Sequence, residues 1–378
     1  MSHRENPALR EAAVGLVRRL QAEGFAAFFV GGCVRDLFLG RPAGDYDIVT
    51  SALPEQIEAL FNRTIPVGRK FGVVVVLVGE HQFQVATFRA ESDYTDGRHP
   101  GQVAFGDAKA DAARRDFTVN GLFYDPVKEE LHDWVGGERD LRARVIRTIG
   151  APAERFQEDH LRMLRAVRFA AQLNFEVEPA TYAAIRENAR KIHVISAERI
   201  REELVKLFAP PHAARGLQLL RDSALLQEVL PEIAVAEACE QSPDYHPEGN
   251  VFQHLKLMLS HMLPESHPSL PWAVLLHDVA KPLTASLDPE TGSRHFYGHE
   301  KLGATMAEEI LTRLRFPRKQ IEEIVQAVRC HMQFKDALSM RKLTLRRLLM
   351  RPTFPLELEL HRLDCLGSHG RLDVYDFL

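Results

Sequence analysis

The sequence predicts an α+β protein, with a small mixed-sheet head followed by an all-α body. Four short runs rich in strand-forming residues lie before residue 90, with a helical pattern before the first run and another between the first two. From Pro152 onward the apolar residues recur at helical spacing, and we find no convincing strand there. The pattern of predicted secondary structure changes near residues 145 and 240. This predicts three domains covering 1–145, 146–240 and 241–378.

The elements of the head can be assigned in order along the chain. The first is an amphipathic helix at 7–22, which Asn6 caps and whose first turn contains Pro7. A short helix at Val34–Leu39 ends at Gly40, a polar stretch at Ala90–Gly101 reads as a mobile loop, and a helix follows around Asp107–Leu122. The predicted strands are Ala26–Val30, Tyr46–Thr50, Val73–Val78 and Phe83–Phe88.

The composition indicates a soluble cytoplasmic protein with no membrane partner. No apolar run approaches the ~20 residues of a membrane span, and the N-terminal residues lack the features of a signal peptide. The cysteines are few and widely spaced, which fits reduced thiols. The net charge of −4 argues against a uniformly basic nucleic-acid coat but allows a local basic channel. The oligomeric state stays open.

The most informative stretch of the head joins a glycine pair to two aspartates. Gly31 and Gly32 follow a strand and open a helix, so backbone N–H groups can approach phosphate, and Arg35 lies within reach of a triphosphate. Asp45 and Asp47 are two apart on a predicted strand and should point to one face. Two carboxylates that close need a cation between them, and Mg²⁺ with bound phosphates fits.

Here the sequence resembles a known family. The strings GGCVRDLFLG and DYDIV resemble the signature of the nucleotidyltransferase branch that contains bacterial poly(A) polymerases and class II CCA-adding enzymes. The resemblance continues with RRDFTVN at 114–120, DWVGG at 133–137, EDHLR at 158–162 and SAERI at 196–200. It implies a tRNA nucleotidyltransferase that adds C, A or both to a tRNA 3′ end from CTP and ATP with Mg²⁺. A poly(A) polymerase, which shares the same head, remains the alternative.

The resemblance also implies roles for individual residues. Asp45 and Asp47 would be the catalytic metal ligands, and Asp159 with Arg162 would read the base, on a helix spanning Glu158–Phe169. The nucleotide-binding residues would be Gly31, Gly32, Arg35, Asp36, Arg114, Arg115, Asp116, Asn120, Asp159, Arg162, Arg165 and Arg168. In the family, enzymes that stop after two cytidines tend to lack the loop found here at Ala90–Ala104, which contains Asp93, Asp96 and Arg98. Its presence favours adenosine addition. One departure is Gln84, which stands where the family usually has a glutamate, so a third carboxylate ligand is not expected.

A second metal site is predicted in the last third of the chain. The order His254, His277-Asp278 and Asp364 resembles the HD phosphohydrolase superfamily, with His299 and His331 in between. Imidazole and carboxylate ligands suit a second divalent metal that can activate water against a phosphoester. Such a domain could be a phosphohydrolase or a scaffold that holds RNA. The basic stretches 313–319 and 341–351 are either tRNA contacts or solvated helix faces.

The sequence also allows two functions other than nucleotide polymerisation. One is a metal-dependent HD phosphohydrolase whose head merely binds nucleotide, and the other is an RNA-binding scaffold. The paired aspartates behind the glycine turn argue against a scaffold, which has no need of a metal at a triphosphate pocket. Relatives usually continue beyond Leu378, and the sequence leaves open whether a C-terminal segment is missing.

Overall fold

The computed structural model describes residues 6–65, 71–94, 100–243, 245–290 and 292–378. The chain forms two compact units. The first contains Met1–Arg162 and Phe175–Ala184, and the second contains Met163–Asn174 and Ile185–Leu378. The predicted α+β class with a mixed-sheet head and a helical body is confirmed. The division into three domains, with boundaries near 145 and 240, stays a prediction.

A seven-stranded mixed sheet forms the centre of the first unit, in the order β3-β4-β5-β2-β1-β8-β9. Strands β2 and β5 run parallel, and the other neighbours in this sheet run antiparallel. The strands of this sheet are β1 (Ala27–Val30), β2 (Asp47–Thr50), β3 (Thr64–Ile65), β4 (Val73–Val78), β5 (His81–Thr87), β8 (Phe123–Asp125) and β9 (Glu130–His132). Strands β6 (Arg89–Tyr94) and β7 (Pro100–Phe105) pair only with each other, and β10 (Val145–Ile146) pairs with β11 (Glu176–Val177).

The helices of the first unit are short apart from the first. They are α1 (Pro7–Ala22), α2 (Gly32–Phe38), α3 (Pro54–Leu60), α4 (Ala108–Ala113), α5 (Gly137–Ala143) and α6 (Pro152–Glu158). Helices α7 (Leu161–Leu173) and α8 (Pro179–Asn188) continue into the second unit. Val30, Val49, Phe88, Ala112 and Phe123 form one buried core cluster, which packs strands β1, β2 and β8 against α4.

The second unit is helical, with one two-stranded ribbon, β12 (Ser286–Leu287) and β13 (Arg294–His295). Its helices are α9 (Ala197–Leu207), α10 (Ala213–Asp222), α11 (Leu226–Val229), α12 (Pro231–Ala234), α13 (Val251–Ser260), α14 (Leu270–Leu276), α15 (Lys281–Thr284), α16 (His299–Arg313), α17 (Arg318–Cys330), α18 (Lys342–Leu349), α19 (Phe354–Leu366) and α20 (Asp373–Phe377). Every residue of α14 is buried, so this helix carries the residues that follow it, His277 and Asp278, into the core.

The structure confirms the first helix and the four predicted strands to within two residues at each end. Three predictions are wrong. The helix expected at Asp107–Leu122 ends at Ala113 as α4, because the buried Phe117 is extended before a single 3₁₀ turn. The loop expected at Ala90–Gly101 contributes to the β6–β7 hairpin instead, although Asp96 and Arg98 lie outside the described residues. Short strands also occur after Pro152.

Candidate functional site

The glycine turn brings three predicted residues of the head together. Gly31 has φ +73 and ψ −131, a conformation that favours glycine, between the end of β1 and the start of α2. A β-carbon at Gly31 would lie 3.5 Å from Arg115 Nη1 and 3.8 Å from Asp47 Oδ2. The turn therefore lies directly beside a carboxylate and a guanidinium, the two kinds of group that a metal–triphosphate complex needs.

Asp45 and Asp47 differ in secondary structure. Strand β2 begins at Asp47, so the prediction that both lie on a strand is wrong for Asp45, which precedes it. Both residues are exposed. Reduced hydration of its carboxylate raises the pKa of Asp47, the charge of Asp45 raises that pKa further, and Arg115 lowers it. Electrostatic repulsion between Asp45 and Asp47 is what a bound cation would relieve.

The neighbouring strand presents a neutral residue beside Asp47. In the parallel pair of β2 and β5, Ile48 lies opposite Val85, so the preceding residues Asp47 and Gln84 are also neighbours across the strands. Gln84 is exposed, and its amide carries no charge. The departure noted in the sequence thus lies next to the aspartate pair.

Arg35 is held in place by side chains of the head. Its Nε and Nη2 donate to the two carboxylate oxygens of Asp36 at 2.9 and 3.0 Å, and its Nη1 donates to Asn120 Oδ1 at 2.9 Å. Asn120 in turn donates to Asp116 Oδ1 at 3.3 Å, and the same oxygen accepts the Phe117 N–H. Four of the predicted nucleotide-binding residues therefore form one hydrogen-bonded chain.

A buried aspartate that the sequence reasoning missed holds both arginines of the RRDFTVN segment. Asp111 is fully buried and accepts from Arg114 Nε at 2.8 Å and from Arg115 Nη2 at 3.0 Å. The Asp111 carboxylate also accepts the backbone N–H of Arg89 at 3.1 Å. Burial alone would raise the pKa of Asp111, but Arg115 and Arg114 outweigh it and lower that pKa. On the helix predicted at Asp107–Leu122, the spacing of three and four residues from Asp111 to the two arginines was a signal that could have identified it.

The DWVGG segment fixes the 3₁₀ turn that contains Asn120. The Asp133 carboxylate accepts four successive backbone N–H groups, from residues 135–138, at 2.8 to 3.1 Å. A β-carbon at Gly137 would lie 2.2 Å from the Thr118 carbonyl oxygen, so only glycine allows this approach. Thr118 also donates to the buried Asp140 at 2.8 Å. This segment positions the residues around Asn120.

The predicted base-reading pair does not lie on one helix. Asp159 is extended, with φ −153 and ψ 106, between α6 and α7, and its carboxylate accepts the Leu161 N–H at 3.0 Å. The expected helix at Glu158–Phe169 is therefore interrupted at its start. Arg162 is buried, and its guanidinium contacts Glu158 and the carbonyl oxygens of Arg155 and Arg114 at 3.1 and 3.5 Å.

The other two predicted arginines of α7 belong to the second unit. Arg168 Nε donates to Glu203 Oε2 at 2.5 Å, and Arg165 Nη1 lies 3.8 Å from Glu203 Oε1. Arg168 also lies over the Phe169 ring, 4.0 Å from its centroid. Glu203 is buried and was not identified from the sequence, because it lies far from both arginines along the chain.

The predicted second metal site is assembled within the second unit. Asp278 Oδ2 lies 3.2 Å from His277 Nε2 and 4.0 Å from His254 Nε2, and His254 Nε2 lies 3.2 Å from Asp364 Oδ1. The two histidines and Asp278 are buried. Burial alone would raise the pKa of Asp278, but His277 and Lys281 hold it well below its usual value.

The polar atoms of this cluster fit a bound cation. Among the described residues, His254 Nε2 and His277 Nε2 are buried without a hydrogen bond of suitable geometry, whereas Asp278 Oδ2 also lies 2.6 Å from the Lys281 ammonium. Close contacts that are not aligned as hydrogen bonds are what ligands around an ion show, because each lone pair points at the ion. His254, His277 and Asp278 also offer ligand atoms within 4.8 Å of one another.

Glu248 is a further residue that the sequence reasoning missed. Its Oε1 lies 2.7 Å from His254 Nδ1 and 2.9 Å from His246 Nδ1. A carboxylate on Nδ1 fixes the imidazole so that Nε2 faces the cluster, the usual outer partner of a metal-binding histidine. Because Glu248 precedes α13 in an irregular segment, no periodic pattern marked it.

None of the helices in the described ranges combines the length and the apolarity that a bilayer crossing needs. The described cysteines Cys33, Cys239, Cys330 and Cys365 are all buried and free.

Comparison with known proteins gives three family matches in order along the chain. Residues 27–147 match the Poly A polymerase head domain, residues 174–237 match the "Probable RNA and SrmB- binding site of polymerase A", and residues 250–366 match the HD domain. The first match contains the glycine turn with Asp45 and Asp47, and the third contains the cluster around His277 and Asp278. The predicted base-reading residues at 159–168 lie between the first and the second match.

Among curated relatives, the CCA-adding enzyme of Geobacillus stearothermophilus is 46% identical over 228 residues, covering 60% of this chain and 56% of that protein. The CCA-adding enzyme of Staphylococcus aureus is 46% identical over 201 residues, covering 53% of this chain and 50% of that protein. These alignments thus span about half the length of the curated relatives.

A solved structure extends the similarity over the chain. The CCA-adding enzyme of Bacillus stearothermophilus in complex with CTP has a TM-score of 0.74 and 30% identity, covering 98% of this chain and 80% of that one. The Thermotoga maritima CCA-adding enzyme complexed with tRNA shares the fold, with a TM-score of 0.60 at 20% identity over 97% of this chain and 80% of that one.

Proposed function

We propose that this chain, which belongs to the family of CCA-adding enzymes with a Poly A polymerase head domain, adds C, A or both to the 3′ end of tRNA. The substrates would be CTP and ATP, the product pyrophosphate and the cellular location the cytoplasm. The observation that carries this proposal is the convergence of the Gly31 turn, Asp47 Oδ2 and Arg115 Nη1.

The proposed metal ligands are Asp45 and Asp47. A Mg²⁺ ion held there would activate the 3′ hydroxyl and neutralise charge on the triphosphate. Reduced hydration raises the pKa of Asp47 most and the charge of Asp45 raises it further, and this second contribution supports a cation between the two carboxylates. The hydroxyl oxygen forms a bond to the α-phosphorus, and the bond from that phosphorus to the bridging oxygen breaks. Pyrophosphate leaves with the electron pair, and the hydroxyl proton passes to solvent.

The residues around the aspartates would bind the rest of the nucleotide. Gly31 and Gly32 leave space for the triphosphate, and Arg115 supplies a positive charge beside it. Arg35, Asp36, Asp116 and Asn120 form a rigid hydrogen-bonded chain that would support the sugar and phosphate side. Rigid support matters because small displacements of binding groups cost large factors in rate.

Base selection is assigned to Asp159 and Arg162, together with Arg165 and Arg168. A carboxylate and a guanidinium offer acceptor and donor edges that can match those of a base. Arg162 contacts the Arg114 carbonyl at 3.5 Å, which supports a role next to the phosphate-binding arginines.

The test is addition of labelled CTP and ATP to tRNA that ends in no, one or two cytidines. Asp47→Asn should abolish addition, whereas Glu80→Gln, which removes an exposed carboxylate at the β4–β5 turn, should leave it unchanged. Addition that survives Asp47→Asn together with Asp45→Asn would overturn the assignment. Extension of a generic RNA primer with ATP alone, without use of CTP, would identify a poly(A) polymerase instead.

A second candidate activity is favoured by the cluster of His254, His277, Asp278 and Asp364, here called the HD cluster. The buried, unaligned Nε2 atoms of His254 and His277 support a divalent metal with phosphohydrolase activity. The assay is release of phosphate from a phosphomonoester, and opening of a 2′,3′-cyclic phosphate, with Mn²⁺ or Co²⁺. His277→Gln should remove this activity and spare nucleotide addition, whereas Asp47→Asn should do the reverse. Loss of both activities in either variant would contradict two separate sites.

A further inference from the structure

Trp134 is an exposed aromatic residue that the nucleotide site described above leaves without a role. The sequence has two tryptophans, of which Trp272 is 2% exposed and Trp134 is 38% exposed. The Trp134 indole stacks on the His132 imidazole, with ring centroids 5.5 Å apart and planes 12° apart, and it makes a T-shaped contact with the Phe123 ring at 5.4 Å. A stacked ring with this exposure offers its remaining surface to another planar group. Trp134 and His132 are here called the aromatic platform.

The aromatic platform lies on the same face of the sheet as Asp47. Residues directly opposite each other on antiparallel strands point to one face. Asp47 pairs with Val30, Val30 pairs with Phe123, and Phe123 pairs with His132. These four residues therefore form one row across β2, β1, β8 and β9. Trp134 lies at the end of this row, beside His132.

A positive charge lies along this row. The Arg115 guanidinium lies over the Phe123 ring, 5.2 Å from its centroid, and a β-carbon at Gly31 would lie 3.5 Å from Arg115 Nη1. Contacts thus continue from the Gly31 turn through Arg115 and Phe123 to Trp134. A single strand of RNA needs this combination, because cations attract its phosphates and aromatic rings stack on its bases.

The backbone that carries Trp134 is held in place on both sides. The preceding residue, Asp133, accepts the N–H groups of residues 135–138 at 2.8 to 3.1 Å. Gly137, in the same segment, packs closely against the Thr118 carbonyl oxygen. A base that stacks on Trp134 therefore meets a preorganised surface, so little conformational freedom is lost on binding.

The position of the aromatic platform determines which part of an RNA can reach it. Neighbouring strands lie about 4.8 Å apart, so the three steps from β2 to β9 cover about 14 Å. Stacked nucleotides advance by about 3.4 Å each along one strand. When the reacting 3′ hydroxyl lies at Asp47, a stacked strand reaches the platform after about four nucleotides, and a more extended strand reaches it after fewer.

We propose that the aromatic platform stacks on a base of the RNA acceptor, two to four nucleotides before the 3′ end, and so holds that end at Asp45 and Asp47. The inference rests on the proposed nucleotide addition and adds to it a binding position for the RNA. Trp134 is a positioning residue, because the incoming base is assigned to Asp159 and Arg162. Since every base has a flat face, the platform accepts any of the four.

Steady-state addition of CTP to an RNA acceptor tests the position. Trp134→Ala should raise KM for the RNA by about 5–150-fold, the range expected for loss of one base–aromatic stack. KM for CTP, and kcat at saturating RNA, should not change, because the lost contact is the same in the ground state and the transition state. Trp134→Phe keeps a ring and should restore most of the affinity.

The matched control for this assay is Phe38→Ala. Phe38 is 43% exposed and contacts the Tyr124 ring at 6.1 Å. Tyr124 follows Phe123 on β8, so the two side chains point to opposite faces of the sheet. Phe38→Ala therefore removes an exposed ring away from the platform and should leave KM for the RNA unchanged. An equal rise of KM in Phe38→Ala and Trp134→Ala would overturn the proposal.

Acceptors that lack one base identify the nucleotide that stacks. Abasic nucleotides are placed two, three or four positions before the 3′ end, and each RNA is assayed with the parent protein and with Trp134→Ala. At one of these positions the two losses should not add, because removal of the base and removal of the indole abolish the same contact. Additive losses at all three positions would refute stacking on Trp134.

Tryptophan fluorescence gives a readout that is independent of catalysis and needs only the parent and Trp134→Phe. Because Trp272 is buried, the emission that a ligand can reach comes from Trp134. The RNA acceptor without CTP should quench the parent and leave Trp134→Phe unquenched, with circular dichroism as the check on folding. Quenching in a parent protein that adds no nucleotide would refute the proposed function and keep the platform. Unquenched emission with normal nucleotide addition would refute the platform alone.

Discussion

Asp111 is the residue through which the structure makes its sharpest prediction about the head. The carboxylate is fully buried and accepts from two arginines and from one backbone N–H. Asp111→Asn keeps the shape of the side chain but leaves a single acceptor oxygen. The new amide NH₂ group faces the N–H donors of the two guanidinium groups. At least one charge-assisted hydrogen bond is lost, at about 1.5–3 kcal/mol.

The partial exposure of the arginines moderates this loss. The side chains of Arg114 and Arg115 are 16% and 18% exposed, so each can recover some hydration. We therefore expect Asp111→Asn to lower the free energy of unfolding by about 2 kcal/mol. Because Arg115 lies beside Asp47, its displacement should also lower kcat/KM for nucleotide addition, by about 100-fold for a shift near 1 Å.

The pH dependence of this loss follows from the lowered pKa of Asp111. A carboxyl group whose pKa is lower in the folded state stabilises the protein fully above its unfolded pKa of about 3.9. That contribution is lost as the pH falls through the folded pKa. The stability difference between the parent and Asp111→Asn should therefore be constant near neutral pH and shrink only below about pH 4.

Urea unfolding and steady-state CTP and ATP addition measure the two effects. The matched control is Asp107→Asn on the same helix, where the exposed aspartate caps the first turn by accepting the Ala110 N–H at 2.8 Å. Asparagine caps as well as aspartate, so this variant loses a charge without losing the cap. If Asp111→Asn and Asp107→Asn behave alike in both assays, Asp111 does not hold the arginines in a functional position.

Three other variants test separate parts of the structure. Gly137→Ala should lower the free energy of unfolding by about 1–3 kcal/mol in urea, because the added β-carbon would overlap the Thr118 carbonyl. Glu248→Gln should weaken Co²⁺ binding at the HD cluster by about 10–100-fold in a spectroscopic titration, since His254 loses the carboxylate that orients it. Glu203→Gln should raise KM for the nucleotide more than it lowers kcat, because Arg168 loses its buried partner.

Matched controls and contrary results are available for each. Gly15→Ala, at an exposed position of α1 with open space around the β-carbon, should stabilise by about 1 kcal/mol, and an equal gain in Gly137→Ala would show that the close approach is absent. For metal binding, the exposed Glu265→Gln should have no effect, and unchanged affinity in Glu248→Gln would deny it an orienting role. If Glu203→Gln leaves KM and kcat for the nucleotide unchanged, the contact between Glu203 and Arg168 plays no part in base selection.

The predicted strands were correct because each is a short apolar run bounded by turn residues, a pattern that depends on few tertiary contacts. The helix at Asp107–Leu122 was wrong because no proline or glycine marks its end at Ala113. There the buried Phe117 adopts an extended conformation, and Asp116 accepts its N–H at 2.8 Å. Asp159 interrupts the next predicted helix in the same way, since its carboxylate accepts a backbone N–H that the helix would otherwise leave unpaired.

The sequence by itself determined which chemical groups this protein has and their order: a glycine turn, paired aspartates, an arginine segment and a histidine–aspartate cluster. Only the tertiary structure decided which groups meet. Gly31 approaches Arg115, and Asp278 lies between two pairs of histidines, across long stretches of chain. The physical reason is that every buried charge must find a partner, but periodicity and propensity do not specify which one. Asp111, Glu203 and Glu248 are such partners, and they became visible only once the chain was folded.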